Sequence, residues 1–233
     1  MPTGASSGYR IQLSPAVSAA HTDAEAATYE AAHARYDRST MVSLPWTPTD
    51  RFIDRQPVSS ASPKAGTPAL GLYLDQNYLS GMAKEKPAFR ELEPVLHAAV
   101  AQGVVAVFES EAHRIESAPR PDLPLLELLR AFSAGARFPA ELAPRERNLE
   151  RRLQALLEGV PGRAPRASDR LDARALAQAL PRCDLVTCDA FMAEVVRRAG
   201  LDIRFRCELY AGRRADVERL RERLATEIAA PAG

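Results

Sequence analysis

From Leu70 onward, apolar side chains fall into short runs separated by amphipathic stretches; before it that order is lost. Leu70–Leu74 and Val104–Phe108 are apolar runs of strand length, and Asp184–Cys188 and Ile203–Leu209 repeat the pattern. Continuous apolar runs suit strands buried on both faces of a sheet. Between them the spacing predicts helices over Ala88–Ala101 (opened by Pro87), Ser110–Ser117, Leu125–Phe132 and Arg145–Leu157. Further helices follow over Leu171–Leu180 with Asp169 as N-cap, over Ala190–Ala199 with Gly200 as the stop, and over Asp216–Ile228. Pro94 predicts a kink or a split in the first of these. Strands alternating with helices predict an α/β fold, a three-layer α/β/α arrangement with a mainly parallel central sheet.

Residues 1–68 hold seven prolines and nine serines with few periodic aliphatic positions. Too little apolar surface is present to offset the entropy of ordering, so this part reads as a largely disordered extension. Within it, Thr22–Tyr36 reads as a short surface helix. Met41–Trp46, with the only tryptophan, reads as an apolar cluster able to dock on the domain or on a partner. The domain proper spans 69–230, with a helical insertion over about 118–168.

The charges nearly cancel, 31 Lys+Arg against 30 Asp+Glu in 233 residues. That excludes a histone-like polyelectrolyte and an acidic solvating tail, and nucleic-acid binding would need a local basic patch. Arg145, Arg147, Arg151 and Arg152 offer one, on or near a single helix, and are the candidates for tracking phosphates. Cys183, Cys188 and Cys207 form no CxxC pair, which argues against a disulfide framework or a Cys-rich zinc site and for a reducing cytoplasm. No apolar run reaches the roughly 18 residues of a membrane span, and no signal peptide is read at the N-terminus.

The acids carry the chemistry. In an open parallel sheet the ligand crevice lies beyond the carboxyl ends of the strands. Asp75 ends the first strand and Asp189 ends the third, so both should project there. The helix before the third strand runs back across the sheet, which returns its N-terminus, with Asp169 and Asp172, to the same rim. Asp184 begins the strand that Asp189 follows, about 16 Å away at ~3.3 Å per residue, and ranks below Asp172 for that reason. Near the second strand, Glu109, Glu111 and Glu116 remain alternatives. Carboxylates clustered on one rim repel unless a cation binds them, and an oxygen-only donor set suits Mg²⁺ or Mn²⁺. His113 lies near this rim, within reach of a phosphate. His97, among apolar neighbours, reads as a core histidine.

Three segments together resemble the PIN-domain nucleases. Tyr73–Ser80 is similar to the family's first motif, a strand ending in Asp-x-Asn (Asp75, Asn77) and leading into a helix. Ser110–Glu116 is similar to the second, a helix-starting Ser followed six residues later by Glu. Asp172 in a helix, then Asp184–Asp189 with Thr187, is similar to the closing element. The resemblance covers roughly residues 70–212; it departs from the family in the long segment 118–168 and in Gln76, where a small Thr or Ser is usual. It implies Asp75, Glu116, Asp172 and Asp189 as metal-binding acids, supported by Asn77 and Thr187. The implied activity is Mg²⁺- or Mn²⁺-dependent hydrolysis of phosphodiesters, foremost as an endoribonuclease, with the toxin half of a toxin–antitoxin pair as one setting. The partners of that reading are an RNA substrate, an antitoxin or other protein, and a second copy of the chain, with no membrane. The competing reading is a non-catalytic PIN-like module that binds RNA or protein.

Overall fold

A computed structural model describes residues 70–119, 121–164 and 166–230. The expectations for Thr22–Tyr36, for Met41–Trp46 and for a disordered extension lie outside the described residues.

Four short strands, β1 (Leu70–Tyr73), β2 (Val105–Phe108), β3 (Leu185–Cys188) and β4 (Glu208–Ala211), form one sheet in the order β2-β1-β3-β4. All three pairings are parallel, with Tyr73 opposite both Phe108 and Val186. Side chains alternate across the sheet, as a period of two requires. Leu72, Val105, Val107, Leu185 and Tyr210 enter one apolar layer; Tyr73, Phe108, Val186, Cys188, Leu209 and Ala211 enter the other.

Helices cover both faces. On the Leu72 side lie α1 (Gln76–Ala83), α2 (Pro87–Ala101), α4 (Leu125–Ser133) and α9 (Arg214–Ala229). On the Tyr73 side lie α3 (Glu111–Ser117), α5 (Pro144–Glu158), α6 (Ala167–Ala179), α7 (Ala190–Arg198) and the single-turn α8 (Leu201–Phe205). The architecture is therefore the three-layer α/β/α arrangement with a parallel sheet. The segment 118–168 takes part in both layers: Leu125, Leu129 and Phe132 of α4 enter one, Leu149, Leu153 and Leu157 of α5 the other.

Several local expectations are corrected. α2 runs unbroken through Pro94. That residue is exposed, so the Arg90 carbonyl it leaves without a helical donor lies where water can reach it. The strand expected over Ile203–Leu209 begins only at Glu208. Gly200, at φ 62°, turns the chain into α8 first, and Arg206, also left-handed at φ 52°, ends that turn. The apolar alternation misled because Ile203 is 79 % exposed rather than buried. α6 starts at Ala167, not after Asp169, which lies within the first turn and accepts the Arg166 N–H at 2.7 Å. His97 is exposed, its ring 4.6 Å from that of Phe132.

Candidate functional site

Two chain reversals build the rim. β1 and β3 are neighbours whose connections leave in opposite directions across the sheet, the topology that places a ligand crevice above the carboxyl ends of such strands. Asp75 follows β1 and N-caps α1, its Oδ2 accepting the Asn77 N–H at 3.3 Å and the Asn77 side-chain amide at 3.0 Å. Asp189 follows β3 and N-caps α7, its Oδ1 accepting the Met192 N–H at 2.6 Å. The two caps flank the crevice because their strands are hydrogen-bonded neighbours.

An aspartate that only capped a helix would be held more acidic than usual, since backbone N–H groups and the helix dipole favour its charge. Both of these are less acidic than usual. Burial, then the nearby Asp189 charge, pushes Asp75 up to about 6 against the pull of its N–H partners. Burial raises Asp189 too, against the Met192 N–H and the positive charge of Arg163.

The other two acids respond in the same way. Burial, then Asp75 and Asp189, pushes Glu116 up to about 7. Burial, then Asp75, Glu116 and Asp189, pushes Asp172 up to about 8. Asp75, Glu116 and Asp172, from three separate segments, thus each sense the charge of Asp189, and Asp172 senses Asp75 and Glu116 as well. Among the described residues, neither Asp75 nor Asp189 has an arginine in an ion pair.

The alternatives near β2 are separated by their partners. Glu109 accepts the Ser133 hydroxyl at 2.6 Å and faces Arg137 at 3.8 Å, and Glu111 is exposed beside Arg174 at 3.7 Å. Glu116 alone of the three is half-buried toward Asp75 and Asp189. Asp184 is at the other end of the sheet, its Oδ2 accepting the Gly71 N–H at 2.9 Å.

The supporting residues sit underneath. Thr187, fully buried, accepts the Asp75 N–H on Oγ1 at 2.6 Å. Gln76 donates its amide to the Ser117 hydroxyl at 3.1 Å and so joins α1 to α3. His113 does not face the crevice; it is fully buried, and the expectation that it meets a phosphate is corrected. Its Nδ1 accepts the Ser110 N–H at 3.0 Å, which leaves Nε2 as the protonated nitrogen, donating to the Leu74 carbonyl at 2.6 Å. Burial holds that imidazole neutral, pushing it down to about 4. The ring also stacks on Tyr73 at 5.1 Å between centroids. His113 therefore fixes the start of α3, and with it Glu116, to the end of β1.

Of the four α5 arginines, Arg145 and Arg147 lie elsewhere than the phosphate-tracking expectation needs. Glu146, wholly buried on the first turn of α5, pairs with Arg182 at 2.6 Å. Arg182 leads into the amino end of β3, so Arg145 and Arg147 belong to the amino ends of the strands, away from the acids. Arg147 donates to the Leu142 carbonyl at 2.6 Å and Arg151 to Asn148. Arg151 and Arg152 lie farther along α5, toward the loop that leads to α6 and the rim.

Sequence reasoning passed over Arg163. It lies in the loop between α5 and α6, forks onto Asp169 with two bonds of 2.6 Å, and rests 4.0 Å above the Phe191 ring. Pro161–Arg166 carries no periodic signal, and nothing in a loop's sequence tells which distant carboxylate its arginine will meet.

Among the described residues, no three His, Cys, Asp or Glu side chains stand close enough together to grip one ion. The four acids of the rim offer oxygen donors alone, the hard type that Mg²⁺ takes one or two at a time while keeping its waters. No protein-family model, curated protein or solved structure matches the chain.

Proposed function

We propose that the chain is a Mg²⁺- or Mn²⁺-dependent nuclease of the PIN type, acting as an endoribonuclease. The observation that supports this reading is the pair of N-cap aspartates, Asp75 and Asp189, which are held less acidic than usual where capping alone would make them more so. Buried carboxylates facing one another are unfavourable in the free protein and become favourable once a cation lies among them.

Asp75 and Asp189 would hold the ion, with Glu116 and Asp172 completing the set directly or through water. When bound, such an ion supplies an activated water and stabilises charge on the phosphate. The chain's own residues do the rest. Asn77 fixes one oxygen of Asp75 and Thr187 fixes its backbone. Glu116 and Asp172, less acidic than ordinary carboxyls, are suited to take up or release a proton near neutrality. Burial of the Asp75 carboxyl limits water at that position.

The alternative, a non-catalytic module binding RNA or protein, draws on the absence of a three-ligand cluster among the described residues. The deciding experiment is a Mn²⁺ titration of the full chain with a parallel RNA cleavage assay. Uptake of the ion and cleavage, both lost in Asp75→Asn, support the enzyme; no uptake by wild type favours the module. Within the nuclease reading, a toxin role predicts growth arrest on expression, relieved by the product of a neighbouring small reading frame. A cytoplasmic location belongs to the same reading.

A further inference from the structure

Arg163 touches two elements that carry acids of the rim. Asp169, its carboxylate partner, is three residues before Asp172 on α6, so the two share a helix face. Phe191, beneath its guanidinium, is two residues after Asp189 in the first turn of α7. The contacts are close and shielded: side-chain exposure is 19 % for Arg163 and 7 % for Asp169. Asp169 is itself anchored, since one of its oxygens also accepts the Arg166 N–H at 2.7 Å.

We infer that Arg163 is a positioning residue, a clamp that sets the separation of Asp172 and Asp189 across the crevice. The inference rests on the nuclease reading for its function but not for its geometry. Only arginine meets both demands at once: a planar fork matching two carboxylate oxygens, and a flat face for an aromatic ring. A lysine could keep the charge beside Asp169 but has no plane to lay on Phe191. The Asp169 carboxylate offsets part of the guanidinium charge, so Asp189 stays less acidic than usual even with Arg163 nearby.

The test uses the full chain without metal, by amide hydrogen exchange of Arg163→Ala, Arg163→Lys and Phe191→Leu. Arg163→Ala is expected to speed exchange about tenfold in the first turns of both α6 and α7, with the strands unchanged. Arg163→Lys and Phe191→Leu should loosen the first turn of α7 while α6 stays protected. Acceleration confined to α6 in Arg163→Ala, or no change in either helix, overturns the clamp. A second readout is Mn²⁺ affinity, which should fall about tenfold in Arg163→Ala with Asp75, Glu116, Asp172 and Asp189 all intact. Unchanged affinity in a variant whose wild type binds Mn²⁺ also overturns the clamp. A wild type that takes up no Mn²⁺ overturns the nuclease reading instead, and hydrogen exchange then decides the clamp alone.

Discussion

Thr187 accepts the backbone N–H of Asp75 at 2.6 Å, across 112 positions of sequence. The strand that leads into Asp189 therefore also holds the residue that begins the other half of the rim. This bond sits where β1 and β3 are neighbours, and it couples the placement of the two acids to the pairing of their strands.

Thr187→Val keeps the shape of the side chain and removes that acceptor, leaving a buried N–H without its partner. The variant should lose about 1–3 kcal/mol of stability in chemical denaturation. Thr187→Ser, which keeps the hydroxyl, should lose less than half as much. Equal stability of Val and wild type would show that Asp75 finds another partner.

The free protein should become less stable as pH rises. Asp75, Glu116 and Asp172 all have folded pKa values above their unfolded ones, at about 6, 7 and 8. The stability they contribute is fully present below about pH 4 and is lost as pH climbs through 6 to 8. Thermal melts of metal-free protein between pH 5 and 8.5 should show the decline, and Asp172→Asn should flatten its upper part. A Tm that rises over this range would contradict the charge crowding described for the rim.

Divalent-ion binding should release protons. At pH 7 the crowded carboxyls of Glu116 and Asp172 are partly protonated and must give up protons to act as ligands. Calorimetry in buffers of different ionisation enthalpy should report net proton release, and Mn²⁺ affinity should rise from pH 6 to 8. Affinity independent of pH would separate these two acids from the ion.

His113 gives the opposite sign on the acid side. Its folded pKa of about 4 lies below the ordinary value near 6.5, so its contribution is present above pH 6.5 and is lost as pH falls toward 4. His113→Ala should cost about 3 kcal/mol through the lost packing and the two unmatched backbone groups, and should flatten the acid limb of the stability profile. Urea melts at pH 4.5 and 7 check both effects.

The α5 arginines should differ by position. Arg145 and Arg147 lie on the turn pinned to Arg182, and Arg151 is about 6 Å beyond Arg147 along the axis toward the rim. Reversal of Arg145 and Arg147 to Glu should leave RNA affinity and its salt slope within error. Reversal of Arg151 and Arg152 should lower the slope by about one to two. A larger effect from the first pair would move the RNA path to the amino ends of the strands.

The residue order alone was enough to establish an α/β fold with a parallel sheet, because apolar strand runs and amphipathic helices have different periods. It also placed Asp75 and Asp189 at the carboxyl ends of strands and ranked Asp172 above Asp184, since strand length limits which acids can meet. The tertiary structure decided what depends on distant partners. It chose Glu116 over Glu109 and Glu111, buried His113 as a brace, left Pro94 inside a continuous helix, made Ile203 part of a helical turn, and carried the start of α5 away from the rim. It also brought loop residue Arg163 onto Asp169 and Phe191. Periodicity reports which face of an element is apolar; only packing tells which other element that face, or a charge beside it, will meet.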